Sequence, residues 1–158
     1  MPSLVSGGME RVMSEIANDF STRDDVEVHL IILTKQPLFY SLKENVIIHE
    51  PEFKTKGVNK LFTTVRVLFF LRNKLKEIKP HSFLSFGSKY NSFVMLSSIG
   101  LKIKKYLSDR NSPQINSRLS FKNNSVYKTG SGFQYILKHI LYPGATGIIV
   151  QTETAKKI

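Results

Sequence analysis

Three short stretches of this chain carry residue types that can hold an anion or a sugar. The first is Gly7-Gly8 with Glu10 two positions on, at the start of a helical pattern. Glycines let backbone amides approach a ligand closely, and a helix N-terminus adds unpaired N–H groups with a partial positive charge. Two adjacent glycines also make an ordinary tight turn, and they lack the spacing of a dinucleotide fingerprint or a Walker loop. The second stretch is Ser108-Asp109-Arg110-Asn111, directly after an apolar run. In open parallel sheets, ligands bind beyond the carboxyl ends of strands, where these four side chains can hold hydroxyls or a phosphate. Asp and Asn are equally good turn formers. Ser85-Phe86-Gly87-Ser88-Lys89 closes another strand pattern, and Ser85 and Gly87 have the same two readings: ligand contacts across a crevice, or a plain strand-to-helix connection.

A fourth region is basic rather than catalytic. Lys54, Lys56, Lys60, Arg66, Arg72, Lys74, Lys76 and Lys79 stand against a single acid, Glu77. The helical pattern inside it places Leu61, Val65, Leu68, Leu75 and Ile78 on one face, and Phe62, Val67, Phe69 and Phe70 broaden that face. Basic residues beside surplus aromatics suit a helix pressed on an anionic bilayer, with Arg66, Phe70, Arg72 and Lys74 as its contacts. A wide buried face with a solvated basic one fits the same pattern. The four histidines stand singly, and His29 in its strand reads as a core or edge residue.

The elements that must position these residues follow from periodicity. Apolar positions at Met9, Val12, Met13, Ile16, Ala17 and Phe20 predict a helix over 9–20. Strands are expected at 26–33, 46–49, 82–86, 105–108 and 147–150, and further helices at 59–79, 91–99 and 132–141. The polar stretch 111–131 reads as a long loop, and Thr152 as the N-cap of a helix starting at Glu153. Strands alternating with helices predict an α/β fold: a Rossmann-like, doubly wound parallel sheet with helices on both faces, in one domain over 1–158. Such a sheet opens on a central strand, so the first strand of the fold is read as missing from this chain.

Composition narrows the chemistry. The chain has 158 residues and no cysteine, which removes disulfides, thiolate zinc sites and cysteine nucleophiles. No histidines fall at a paired ligand spacing, so no metal site is expected. With 23 Lys+Arg against 12 Asp+Glu, the formal charge is +11, which favours anionic partners. No recognised nucleic-acid motif accompanies that charge, so no specific nucleic acid is expected. The start lacks a signal-peptide pattern, and the longest apolar patch, near 65–71, is too short and too charged to span a bilayer. A cytoplasmic protein is expected, with peripheral attachment to the inner face of the membrane.

Three blocks together resemble a known family. Pro2-Ser3-Leu4-Val5-Ser6-Gly7-Gly8-Met9-Glu10-Arg11-Val12 is similar to the opening of bacterial retaining glycosyltransferases of the large glycogen synthase-like family. There a small-residue loop with two glycines precedes a helix that begins Glu-Arg. Ser108-Asp109-Arg110-Asn111 resembles that family's Ser-Glu-Arg-Asn segment, with Asp109 in place of Glu, and the run from Leu141-Tyr142 to Val150-Gln151-Thr152-Glu153 resembles its closing segment. The resemblance implies the N-terminal, acceptor-side half of a two-domain GT-B enzyme, whose C-terminal nucleotide-sugar-binding domain is absent from this chain. The implied activity is hexosyltransferase chemistry with retention, in cell-surface polysaccharide or lipopolysaccharide synthesis, and this chain alone would be inactive. A nucleotide-diphosphate sugar would be the donor substrate, a lipid-linked or saccharide molecule the acceptor, and no cofactor or metal would be needed. Gly7 and Gly8 would meet the donor phosphate or sugar, and Glu10, Ser85, Gly87, Asp109, Arg110 and Asn111 would contact donor or acceptor. The competing reading is a stand-alone, non-catalytic domain that binds phosphate or a sugar nucleotide, or a basic membrane-interaction domain.

Overall fold

A computed structural model of the chain describes residues 3–53, 59–109 and 132–150, the side chains of 88, 89, 109 and 132–135 excepted. Arg110, Asn111, Lys54, Lys56, the expected loop over 111–131 and the expected helix from Glu153 lie outside the described residues. The chain is α/β, and every strand pairing among the described residues is parallel. The described strands form two small sheets, of two and of three strands, in compact units Met1–Ile78 and Lys79–Ile158.

The first unit opens on helix α1 (Gly8–Phe20), which buries Met13 and Ala17 from the apolar stripe read in the sequence. Strand β1 (Val28–Ile31) pairs with β2 (Val46–His49), Val28 opposite Val46 and Ile31 opposite His49. The β1 ladder is shorter than the expected 26–33. Most of the apolar run is nevertheless used: Leu30, Ile32 and Leu33 are buried, and the Ile32 N–H donates to the His49 carbonyl at 2.9 Å. The link from β1 to β2 contains no helix. It is tied instead to the end of α1, where Asn18 donates from Nδ2 to the Ser41 carbonyl and accepts at Oδ1 from the Lys43 N–H.

Helix α2 (Lys60–Ile78) starts where Asn59 Oδ1 accepts from the Leu61 N–H at 3.0 Å, an N-cap bond. Its buried stripe is Val67, Leu71 and Leu75, four residues apart. The face expected from the sequence is therefore corrected. Leu61 is 75% exposed and Val65 44%, alongside Phe62 at 56% and Phe69 at 58%. Apolar residues occur almost all round this helix, so periodicity alone fits several stripes and packing selects one. The helix ends at Lys79, whose φ of 49° lies in the left-handed region.

In the second unit, β4 (Lys104–Asp109) lies between β3 (Ser82–Phe86) and β5 (Gly147–Val150). Phe83 stands opposite Lys105, and Tyr106 opposite Gly147. Helix α3 (Ser88–Ser97) packs on β3, β4 and α4 (Gly132–Leu141), and a 3-10 turn (Tyr142–Gly144) precedes β5. The apolar core here is Phe86, Met95 and Leu107. Helix α3 begins three residues before the expected start at 91. Ser88, Lys89 and Tyr90 look like loop in sequence, but a first turn needs free N–H groups rather than apolar side chains. None of the described helices is long and apolar enough to cross a membrane.

Candidate functional site

The carboxyl ends of β3 and β4 meet at one carbonyl. The Ser108 oxygen accepts from the Gly87 N–H at 3.0 Å and from Asn91 Nδ2 at 3.1 Å. Ser85, Ser108 and Asn91 are buried, Asn91 completely. Gly87 turns the chain from strand to helix with φ 87°, a value that a side chain would strain. As the N-cap residue of α3 it offers no capping side chain, and the first turn contains no acid. The N-terminus of α3 thus keeps the partial positive charge of its unpaired amides at the sheet edge where ligands of parallel sheets bind. Asp109 is the last residue of β4, in register with Val150. Of the residues singled out in the sequence, Ser85, Gly87 and Asp109 therefore share one edge, and Arg110 and Asn111 follow beyond the described residues. Asn91 was missed there, because it reads as a helix start rather than a buried polar anchor.

Gly7 and Gly8 belong to the first unit. The Tyr40 hydroxyl bridges Gly7, accepting from its N–H at 3.2 Å and donating to its carbonyl at 3.0 Å. The Gly7 amide is thus already partnered, and an anion would have to displace Tyr40. A Cβ added at Gly7 would meet the Glu10 carboxylate, whereas one added at Gly8 meets nothing within 4 Å. The clash at Gly7 is with the end of a flexible side chain, so Glu10 has to swing aside for a larger residue. It must do the same for an anion at the start of α1.

On α2, the residues proposed to face a membrane divide. Arg66 lies over the Phe53 ring at 4.3 Å and near the Phe62 ring at 5.6 Å. Phe70 is half-buried, edge-on to Phe53 at 6.3 Å. Lys74 donates to Glu77 at 2.9 Å, and Arg72 is half-buried. Arg66 thus stands closest to the exposed ridge of Leu61, Phe62, Val65 and Phe69.

The sequence did not reveal one further cluster. His29 Nδ1 and His49 Nε2 are 2.9 Å apart, with the rings stacked at 5.2 Å, and His29 Nε2 is bonded to the Glu27 carboxylate. Only strand register brings these two single histidines together. The bond between the rings holds one proton, so the pair carries at most one positive charge while it stands. Burial first, then His29 and Lys74, hold the His49 pKa below the usual imidazole value, against a smaller pull from Glu77. A histidine whose folded pKa lies below its unfolded value binds fewer protons when folded. Stability is therefore expected to be constant at high pH and to fall as pH drops below about 6.5. Denaturant titrations from pH 7.5 to 5 should show that slope, and His49→Gln should flatten it. Among the described residues, no three His, Asp or Glu side chains gather as a metal site.

No family model matches this chain, and no curated protein matches it.

Proposed function

We propose that this chain is the acceptor-side half of a retaining glycosyltransferase that acts at an anionic membrane surface. The observation that carries the reading is the carboxyl edge of β3 and β4. There a glycine turn, buried serines and an uncapped helix N-terminus are followed directly by Asp109-Arg110-Asn111. Parallel strands with a helix between all but β1 and β2 fit one half of a GT-B enzyme with a doubly wound sheet. In that reading a second domain holds most of the nucleotide-diphosphate sugar. As the sugar leaves its diphosphate, negative charge grows on the leaving oxygen. Preorganised amides and the Arg110 guanidinium suit that charge, and Asp109 and Asn111 suit hydroxyls of the sugar or acceptor. The test is transfer from a panel of nucleotide-diphosphate sugars to a polyprenyl-linked saccharide, using the product of the whole reading frame. Retention of anomeric configuration is expected, with a loss of about 100-fold in Arg110→Ala. No transfer from any donor, or an undiminished variant, would reject the reading.

The surface role falls to α2. Leu61, Phe62, Val65 and Phe69 form an exposed apolar ridge with Lys60 and Arg66 beside it, on a chain of charge +11. Apolar rings entering the headgroup region and cations meeting lipid phosphates are the two contributions to interfacial binding. The double variant Phe62→Ser/Phe69→Ser is expected to bind phosphatidylglycerol vesicles about tenfold more weakly, with its melting temperature unchanged. A melting temperature that drops instead would place those rings in a packed core.

A further inference from the structure

At the amino ends of β3, β4 and β5, three connecting segments line an open, shallow cleft of about 480 Å³. This is the edge of the sheet opposite to Ser85, Gly87 and Asp109. Lys79 and His81 come from the segment entering β3, Lys102 from the one entering β4, and Lys104 and Lys105 from the start of β4 itself. Thr146 lies just before β5. Four lysines and a histidine thus line one cleft, and no carboxylate does.

The backbone fixes this arrangement. The Lys104 N–H donates to the His81 carbonyl at 3.1 Å, and the Thr146 N–H to the Lys105 carbonyl at 2.8 Å. Thr146 Oγ1 accepts from the Lys105 N–H at 2.9 Å, which leaves its own hydroxyl proton to donate. The Lys105 ammonium is held by the Leu101 carbonyl at 3.4 Å. Lys79 is the one described non-glycine residue with positive φ, a conformation in which glycine or asparagine would be at ease. Lysines lining one cleft with no carboxylate among its lining residues favour an anion there. Tetrahedral phosphate oxygens accept from donors on several sides better than one planar carboxylate does.

We propose that this cleft binds a phosphate-bearing anion, at a site separate from the carboxyl edge. It does not rest on the transferase reading and stands if that reading fails. The phosphate is either free or part of a lipid headgroup, and the experiment separates the two.

The full chain is titrated with inorganic pyrophosphate by calorimetry and, in parallel, sedimented with phosphatidylglycerol vesicles. Lys102→Glu/Lys104→Glu is compared with Lys35→Glu/Lys43→Glu, which changes the net charge equally on exposed residues outside both the cleft and α2. Expected is pyrophosphate binding that weakens at least about tenfold in the cleft variant and less than about twofold in the control. Lys79→Gly is the second variant. It should weaken binding about threefold while the melting temperature holds or rises, because the substitution removes strain together with charge. That opposition keeps the test decisive if the double variant folds poorly. Vesicle binding without pyrophosphate binding, lost in the cleft variant alone, would assign the cleft to a lipid headgroup. Equal weakening in both double variants, or binding to neither probe, would overturn the proposal and leave only diffuse attraction by net charge.

Discussion

Leu107→Ala is expected to lower the unfolding free energy by about 3 to 5 kcal/mol. Leu107 is fully buried in β4, the central strand of its sheet, opposite Ser85 on one side and Ile148 on the other. Removing its branched end costs the transfer of those carbons and also leaves a cavity. A strand held by ladders on both sides cannot shift inward to fill that cavity. The described apolar core of this unit is short, comprising Phe86 and Met95 besides Leu107. Set against the roughly 5 to 15 kcal/mol that holds a typical domain, the loss is a large share of the total. Urea titrations should show a much lower midpoint with an unchanged slope. A loss under about 1 kcal/mol would mean that the surroundings collapse freely, contrary to close packing around β4.

Asn91→Asp should be nearly as damaging, and its damage should depend on pH. The substitution barely changes shape. Asn91 Nδ2 faces the Ser108 carbonyl, where only a donor fits, and the amide oxygen Oδ1 is buried with no hydrogen-bond partner among the described residues. A carboxylate would set an acceptor against an acceptor and bury a charge. The expected cost is about 2 to 4 kcal/mol at neutral pH. The new acid would keep its proton, because burial raises a carboxyl pKa. Folded, it would bind more protons than the unfolded chain, so the loss should grow as pH rises above about 4 and shrink in acid. Asn91→Ala should cost less, since the Ser108 carbonyl keeps the Gly87 N–H. A variant as stable at pH 8 as at pH 4 would show that solvent reaches this position.

Much of this was legible in the residues. Strands β3 and β5 and helix α4 run as the apolar pattern predicted, because turn formers bound each on both sides. Ser85, Gly87 and Asp109 were placed at strand ends correctly, since a carboxyl end is a local property of chain direction. What could not be read depends on partners. The buried stripe of α2 is one choice among several apolar arcs, and packing against the rest of the chain decides which is covered. His29 and His49 meet only because Ile31 stands opposite His49, a register that no local pattern states. Asn91 looked ordinary because its role is to satisfy a carbonyl seventeen residues away.

The all-parallel pairing also sets an order of assembly. A parallel partner can be reached only after a long excursion of chain, and the excursions here are unequal. Val28 finds Val46 eighteen residues on, Ser82 finds Lys104 twenty-two residues on, and Tyr106 finds Gly147 forty-one residues on. The last closure costs about 0.5 kcal/mol more in chain entropy than the one before it, by the logarithm of loop length. As the chain leaves the ribosome, β2 can pair as soon as it emerges. The far flank of β4 waits longest, its backbone amides unpaired until β5 arrives.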